Sequence, residues 1–296
     1  MGPRILTLLL ALLVFSVGRT EPAHAYFAEE AMLMRTQQAC KVPSSQTSVA
    51  SGHQVLGLHT VISKAPGEVL PASAIPAALV QVPYEISSPK MMAVYVRGVD
   101  FEQMDPEALN ALLAMLEEAN GDLARRYYDP VDPEGHKIYV HSGYRAYDVQ
   151  CRLFNKKVRR EMELYPDRIR DELAAVASVN NRSALPGQSE HQLGTAVDLV
   201  YKIPGMGYEL EPEMDRTPGF TWLKANAFRY GYAMSYPKGN VDVRTPNPVT
   251  GYVYEPWHWR YIGIAYATAF EMCAKRGMTL RDYLRKIKAN PYARCG

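Results

Sequence analysis

The sequence predicts an α+β fold, with a small and mostly antiparallel central sheet flanked by helices and a β-rich extension before it. Segments with apolar residues three and four positions apart, typical of amphipathic helices, are interleaved with short segments that alternate as strands do. The connections between these segments do not repeat in length. A doubly wound parallel sheet is disfavoured, because the chain has neither a regular βαβ rhythm nor a G-x-G-x-x-G motif.

The first 25 residues are typical of a signal peptide. An apolar run from Ile5 to Val17 precedes Ala23-His24-Ala25, which fits an A-x-A cleavage site. The run is too short to span a bilayer comfortably, so we expect cleavage after Ala25 and export to the periplasm or the cell exterior. An uncleaved anchor is the alternative. No later segment approaches membrane-spanning length, so the mature chain is expected to lack a transmembrane segment.

The charge of the mature chain is close to zero. The full sequence has 33 basic and 31 acidic residues, and loss of Arg4, Arg19 and Glu21 leaves 31 and 30, a net charge of +1. This balance does not indicate the excess of positive charge that binding to nucleic acid or to a membrane surface requires. Nucleic acid is therefore not an expected partner.

The four cysteines are Cys40, Cys151, Cys273 and Cys295. An even number in an exported chain makes one or two disulfides plausible. No C-x-x-C pair is present, which argues against a thiolate zinc site. Pairing Cys151 with Cys273 would join two predicted helices, but three pairing schemes exist and the sequence does not choose among them.

Residues 26–99 are expected to form an N-terminal arm and a β-rich extension. Residues 26–45 are polar and lack a clear period, which favours a loop or arm. Strand-like runs follow between Ser48 and Val99, and the segment "SKAPGEVLPASAIP" interrupts them. The main domain is expected to cover residues 100–296.

The main domain is predicted to open on a helix from Asp105 to about Leu123. Asp105 can cap this helix, Pro106 suits its first turn, and leucines follow at helical spacing. The segment "HKIYVHSGYR" predicts a strand that ends in a turn at Ser142-Gly143. The segment "AYDVQCRLFNKKVRREMELY" predicts the next helix.

The second half of the main domain continues this mixed pattern. The segment "TPGFTWLKANAFRYG" predicts a helix, "YAMSYP" a short strand and "KGNVDVRTPNPVTG" an irregular connection. The segment "YVYEPWHWRYI" is strand-like. Two closing helices are expected to begin near Gly263 and Thr279.

The segment "SEHQLGTAVDLV" places a carboxylate inside an apolar strand. Strand alternation puts Asp198 on one face with the small Ala196, where burial is costly unless a cation or hydrogen bonds compensate the charge. His191 lies seven residues earlier, and Gly194 permits a turn between them. Two potential metal ligands can therefore converge.

The segment "YEPWHWRY" supplies a further pair of polar side chains. In a regular strand, Glu255 and His258 would point to opposite faces, so they can share a pocket only if the backbone bends. Pro256, which cannot donate to a ladder, predicts such a break. Two histidines, one aspartate and an open fourth position describe a catalytic zinc site, with Glu255 as a nearby unligated carboxylate.

Four separated motifs resemble those of the zinc D-alanyl-D-alanine carboxypeptidases similar to VanY. "SEHQLGTAVDLV" matches S-x-H-x-x-G-x-A-x-D, and "YEPWHWRYIG" matches E-x-W-H-x-R. "SGYRAYDVQ" and "SYPKGN" resemble two further elements, and all four occur in the order of the family. The resemblance covers residues of about 100 to 265, and nothing in residues 26–99 takes part in it.

The resemblance implies one zinc ion per chain, bound by His191, Asp198 and His258. It also implies that Glu255 is the catalytic base and then the proton donor. The family fold is a compact α+β unit around a small antiparallel sheet, in agreement with the fold expected from the segments.

The resemblance further implies a substrate pocket in which Arg145 faces the substrate as a catalytic and binding residue. Gln150 and Ser189 would help to hold the terminal carboxylate, and Tyr236 would line the same pocket. Two departures concern specificity: Ser235 stands where the family often has arginine, and the connection over residues 239–250 is longer than usual.

The function implied is removal of the C-terminal D-alanine from peptidoglycan stem peptides. The alternatives are an L,D-carboxypeptidase or a peptidoglycan endopeptidase of the same family. A third hypothesis is a non-catalytic, zinc-containing binding module. The presence of Glu255 beside a complete ligand set argues against it. The sequence does not specify the oligomeric state.

Overall fold

The computed structural model describes residues 56–65, 67–88, 102–132, 135–202, 210–238, 246–291 and 295. The expected signal peptide, the polar arm, the strand-like run at 91–99 and residues 239–245 of the irregular connection lie outside this range. Among the described helices, none combines the length and the apolar composition that crossing a bilayer requires.

Neighbouring strands pair antiparallel throughout the described chain. The strands are β1 (Val80–Gln81), β2 (Gln103–Met104), β3 (Ile138–Ser142), β4 (Ala196–Tyr201), β5 (Tyr232–Met234) and β6 (His258–Tyr261). Strands β1 and β2 form a two-stranded sheet, and the other four form the central sheet in the order β3-β4-β6-β5. The predicted small antiparallel sheet is confirmed.

Helices flank this sheet, as an α+β fold requires. They are α1 (Pro106–Tyr127), α2 (Tyr147–Leu164), α3 (Glu172–Asn180), α4 (Pro218–Asn226), α5 (Ile264–Ala274) and α6 (Leu280–Ala289). Five of the six correspond to predicted helices. The exception is α3, a short and mostly apolar helix without a clear polar face, which helical periodicity does not reveal.

Helix α1 packs on one face of the central sheet. Its Leu112 and Leu116 are fully buried in the same cluster as Val197 and Leu199 of β4. Because side chains alternate along a strand, the carboxylate of Asp198 lies on the other face of β4. The apolar packing thus fixes the strand while leaving one face for polar groups.

The strand-like segment before β6 is shorter than predicted. Strand pairing begins at His258, and the preceding residues form a turn in which the His258 N–H donates to the Glu255 carbonyl (3.2 Å). Pro256 lies inside this turn and lacks the N–H that a continued ladder would need. The expected backbone break is therefore present as a turn.

The described part of the extension, residues 56–65 and 67–88, contains fewer strand residues than expected: β1, one 3-10 turn and irregular backbone. Three prolines between residues 71 and 83 interrupt it, and proline cannot donate to a ladder. The segment is instead attached to the main domain, for example by the Leu70 N–H, which donates to the Gly187 carbonyl (2.8 Å).

The structure decides a cysteine pairing that the sequence left open. Cys273 of α5 is bonded to Cys295, with their Cα atoms 5.2 Å apart, so a Cys151–Cys273 bridge is not formed. The chain beyond α6 returns to α5, and sequence spacing does not reveal that return. Cys151 is also disulfide-bonded.

The cap of α1 gives a stability prediction. Asp105 Oδ1 accepts hydrogen bonds from the N–H groups of Glu107 (2.9 Å) and Ala108 (3.1 Å), which have no partner within the helix. We expect Asp105→Ala to lower the free energy of unfolding by about 1 kcal/mol in urea denaturation. Asp105→Asn keeps an acceptor and serves as the control. Equal stability of Asp105→Ala and wild type would contradict the capping role.

Candidate metal centre

Three neighbouring strands align polar side chains across one face of the sheet. Asp198 of β4 is the register partner of Ser142 in β3 and of His258 in β6. A register shift after Val140 in β3 brings Ser142 into this row. Cross-strand partners lie side by side on one face, so the sheet itself sets Asp198 next to His258.

His191 reaches the same place from the 3-10 turn Glu190–Leu193. The turn ends at Gly194, whose positive φ of 74° suits glycine and sends the chain into β4. His191 Nδ1 lies 2.6 Å from the carbonyl oxygen of Gly143, which can only accept, so Nδ1 carries the proton. The other nitrogen, Nε2, lies 3.2 Å from Asp198 Oδ2.

The two histidines and the aspartate converge on one point. His258 Nδ1 lies 3.0 Å from Asp198 Oδ1, and one ligand atom from each of the three residues lies within 4.8 Å of the others. All three are buried. Burial by itself would raise the pKa of Asp198, but the two histidines beside it lower the pKa well below its usual range. The Asp198 carboxylate is therefore ionised and is available to a cation.

These residues fit a divalent metal ion such as zinc, which prefers imidazole nitrogen and carboxylate oxygen. The second ring nitrogen of each histidine is held by an acceptor: the Gly143 carbonyl for His191, and Glu190 Oε2 (3.1 Å) for His258. Such contacts are typical of metal-binding histidines, because they fix the ring orientation and the tautomer. They direct Nε2 of His191 and Nδ1 of His258 towards the shared point.

Glu255 lies beside the three residues without joining the cluster of ligand atoms. Its Oε2 is 4.0 Å from His258 Nδ1, and its backbone N–H donates to the Tyr236 carbonyl (3.2 Å). Burial is the main cause that raises the pKa of Glu255 to about 7. This carboxyl group can therefore exchange a proton near neutral pH.

Arg145 and Gln150 lie together at the edge of the site. Arg145 Nη1 donates to Gln150 Oε1 (2.7 Å), and Nη2 donates to the hydroxyl of Ser142 (3.2 Å). The Arg145 N–H also donates to the His191 carbonyl (3.1 Å), which connects this segment to the metal ligands. Gln150 is held in turn by the Ala184 carbonyl (2.5 Å).

Tyr236 is placed against a metal-ligand candidate, and Ser189 opens the turn that carries another. The Tyr236 ring centroid lies 4.8 Å from that of His258 and 4.9 Å from that of Tyr252. Ser189 is the buried residue that opens the turn carrying His191, and its side chain forms no hydrogen bond with Arg145 or with any other described residue.

A buried ion pair behind His258 was not expected from the sequence. Glu190 Oε2 contacts His258, and Oε1 accepts from Arg260 Nη1 (2.9 Å). Arg260 is fully buried, and its Nη2 donates to the carbonyls of Leu58 (2.9 Å) and Thr60 (2.7 Å) in the extension. Burial would raise the pKa of Glu190, but Arg260 and His258 lower it, so Glu190 is anionic.

The sequence holds a signal for this pair. Arg260 is two residues after His258 in a strand, so both side chains lie on the same face, and a buried arginine there needs an acid. Glu190 adjoins His191 in the quoted motif. Ser235, the departure from the family pattern, also acts here, since its hydroxyl donates to Glu190 Oε2 (2.5 Å).

The segment that leads to Glu255 is held from two sides. Lys64 Nζ of the extension donates to the carbonyls of Gly251 (2.6 Å) and Asn180 (2.7 Å). Arg281 of α6 donates to the carbonyl of Thr250 (2.7 Å). The backbone that leads to Glu255 is therefore hydrogen-bonded both to the extension and to α6.

Together these features define a class of protein: α+β domains with a buried centre for one metal ion, formed by two histidines and an aspartate, and a free carboxylate beside it. The chain belongs to the VanY family, described as D-alanyl-D-alanine carboxypeptidase, which matches residues 102–264. The match includes all three ligand candidates and Glu255. It begins after the extension, whose carbonyls at Leu58 and Thr60 accept hydrogen bonds from Arg260.

Relatives of known name are similar to this chain. The D-alanyl-D-alanine carboxypeptidase of Enterococcus faecalis is 32% identical over 162 residues, covering 54% of this chain and 52% of that protein. That of Enterococcus faecium is 26% identical over 150 residues, covering 50% and 37%. The chain thus spans about half the length, or less, of these curated relatives.

Two solved structures share the fold. The LD-carboxypeptidase LdcB aligns with a TM-score of 0.54 and 26% identity, over 76% of this chain and 85% of that one. A vancomycin-resistance D,D-pentapeptidase, VanY, determined in complex with Zn(II), aligns with a TM-score of 0.51 and 26% identity, over 76% and 98%.

The ion pair behind His258 gives a prediction about metal affinity. Glu190→Gln keeps the shape but removes the charge that faces Arg260 and orients His258. We expect zinc affinity to fall about 10- to 100-fold in competition with a chromophoric chelator, and His258→Ala to lose most of the bound zinc. Glu117→Gln, an exposed change on α1, is the control. Wild-type affinity in a folded Glu190→Gln variant would contradict the orienting role.

Proposed function

We propose that this protein is a zinc-dependent D-alanyl-D-alanine carboxypeptidase, which hydrolyses the last peptide bond of peptidoglycan stem peptides and releases D-alanine. The observation that most supports this proposal is the position of the Glu255 carboxylate. It lies 4.0 Å from Nδ1 of His258 and outside the cluster of ligand atoms. A structural zinc is usually closed by four protein ligands, whereas a catalytic one has three and an open position. Family membership supports the substrate class, as does a related structure, VanYB with D-alanine-D-alanine.

His191, Asp198 and His258 would hold one zinc ion per chain. When bound, zinc supplies Lewis-acid chemistry that polarises a carbonyl group and acidifies water. The ionised Asp198 contributes the negative charge of the donor set. The acceptors at Nδ1 of His191 and at Nε2 of His258 fix the orientation of both rings, so little movement of the rings is needed for binding.

Glu255 would move the proton during hydrolysis. Its pKa, raised to about 7 by burial, lets the carboxylate accept a proton from the attacking water at neutral pH. The protonated carboxyl can then donate to the departing amine of D-alanine. The turn at Pro256 keeps this side chain near His258 throughout.

Arg145 would hold the terminal carboxylate of the substrate. A guanidinium offers a planar, permanently charged fork that matches a carboxylate. Gln150 and Ser142 each accept one hydrogen bond from this guanidinium and so fix its orientation. Tyr236 would wall the pocket, and Ser189, which opens the turn that carries His191, would help to hold the terminal carboxylate.

We further propose that residues 100–296 form the catalytic domain and that the chain is exported to the cell envelope. The signal-peptide pattern in residues 1–25 supports export. The Cys273–Cys295 bond also supports it, because disulfides persist mainly in oxidising compartments. Stem peptides are present in that location.

The central test is mass spectrometry of defined muropeptides after incubation with the mature, zinc-loaded protein. We expect a pentapeptide to lose one D-alanine and a tetrapeptide ending in a single D-alanine to remain intact. Glu255→Gln should keep fold and zinc while the rate falls about 10²- to 10⁴-fold. Cleavage of the tetrapeptide would indicate an L,D-carboxypeptidase, and larger fragments an endopeptidase. Near-wild-type turnover by Glu255→Gln would exclude Glu255 as the base.

A second prediction concerns the free terminus. Amidation of the terminal D-alanine removes the charge that Arg145 would bind and leaves the pocket poorly matched, at a cost of roughly 1–3 kcal/mol. We expect kcat/KM to fall at least about tenfold, since about 1.36 kcal/mol corresponds to one decade. Arg145→Ala should erase most of this difference. Equal cleavage of free and amidated peptides by the wild type would count against an exopeptidase pocket.

A further inference from the structure

A groove with an excess of positive charge lies between α2 and α3. Its volume is about 590 Å³, and it is open to solvent along the C-terminal half of α2. One acidic side chain and four cationic ones line it. The charged lining residues are Lys157, Arg160, Arg168, Arg182 and Glu161.

Three of these four cations have no anionic partner among the residues that the structure describes. Arg182 forms an ion pair with Glu161, and the Arg168 guanidinium lies 4.3 Å from the ring centroid of Tyr165. Lys157 Nζ donates to a neutral hydroxyl, that of Ser183 (3.0 Å). Arg160 forms no ion pair with any residue that the structure describes. The groove therefore has a local net charge of +3 from its lining residues, in a chain whose total is +2.

A chain of hydrogen bonds connects the groove to the Arg145 pocket. Ser183, the partner of Lys157, is followed by Ala184, whose carbonyl accepts from Gln150 (2.5 Å). Gln150 is in turn bonded to Arg145 (2.7 Å). Partial burial of the ammonium lowers the pKa of Lys157 and the charge of Arg145 lowers it further, which indicates electrostatic contact between the two.

The separation between Gln150 of the Arg145 pocket and Arg160 of the groove corresponds to a short extended peptide. Positions 150 and 160 are ten residues apart on one helix, a rise of about 15 Å. An extended peptide advances about 3.3–3.6 Å per residue, so four residues span this distance. A chain whose terminal carboxylate lay at Arg145 would place a residue some two to four positions upstream against Lys157 and Arg160.

We infer that this groove is a subsite for a second carboxylate of the substrate, borne by an acidic residue upstream of the scissile bond. Lys157 and Arg160 bind that carboxylate while Arg145 binds the terminal one. The inference rests on the proposed function, and it names the substrate class as peptides with two separated carboxylates. Its direct evidence is the juxtaposition of unpaired cations with the Arg145 pocket.

The test uses two pentapeptides that differ by one group. Both carry a γ-linked D-glutamate three residues before the terminal D-alanine, with its α-carboxyl either free or amidated, and an acetylated lysine next to it. We expect the wild type to cleave the free-carboxylate peptide with a kcat/KM about three- to tenfold higher, through KM, and the difference to shrink at high salt.

Variants assign the effect to the groove. The double variant Lys157→Gln and Arg160→Gln should cleave both peptides with the lower kcat/KM of the amidated one. Arg159→Gln, an exposed change beside Arg160 but outside the groove lining, should keep the wild-type preference. Circular dichroism and zinc content equal to those of the wild type show that the variants are folded.

Two outcomes separate this inference from the proposed function. Cleavage of both peptides with equal kcat/KM would overturn the subsite and leave the carboxypeptidase standing. If neither peptide is cleaved, calorimetry with the zinc-loaded protein decides. Tighter binding of the free-carboxylate peptide that is lost in the double variant would support the subsite and count against the activity, and equal binding would overturn the subsite.

Discussion

The buried guanidinium of Arg260 is the constraint on which the centre depends. A fully buried cation needs an opposite charge beside it, and removal of that partner costs about 3–5 kcal/mol. Glu190 supplies the charge by accepting from Nη1, and the carbonyls of Leu58 and Thr60 accept from Nη2, while Nε is buried without a partner among the described residues. Glu190 also contacts Nε2 of His258. The carboxylate that neutralises Arg260 therefore also fixes the orientation of a metal-ligand candidate.

The rest of the site follows from strand register and from turns. Pairing of β4 with β6 puts Asp198 beside His258, and the 3-10 turn that ends at Gly194 brings His191 above them. The turn at Pro256 adds Glu255 to the same pocket. Each side chain thus stands on a backbone that is held independently, which is what a preorganised site requires.

Patterns within one segment predicted much of this arrangement. Alternation in β4 placed Asp198 away from the core, and Pro256 predicted the break that lets Glu255 meet His258. Contacts between distant segments were beyond such patterns. The pairing of Cys273 with Cys295 depends on where the chain returns, and the partners of Arg260 lie 200 and 202 residues away in an extension that resembles no part of the family pattern. Helix α3 was missed because its composition is apolar nearly all round.

The attachment of Arg260 to the extension also bears on the order in which the molecule can assemble. Contacts between residues about 200 positions apart form slowly, because a long loop must close before they stabilise anything. A chain synthesised from its N-terminus presents the carbonyls of Leu58 and Thr60 long before the guanidinium that binds them exists. The ligand set is therefore oriented late in folding. A nascent or truncated chain that lacks β6 also lacks His258, so it cannot bind the metal ion with the full set of ligands.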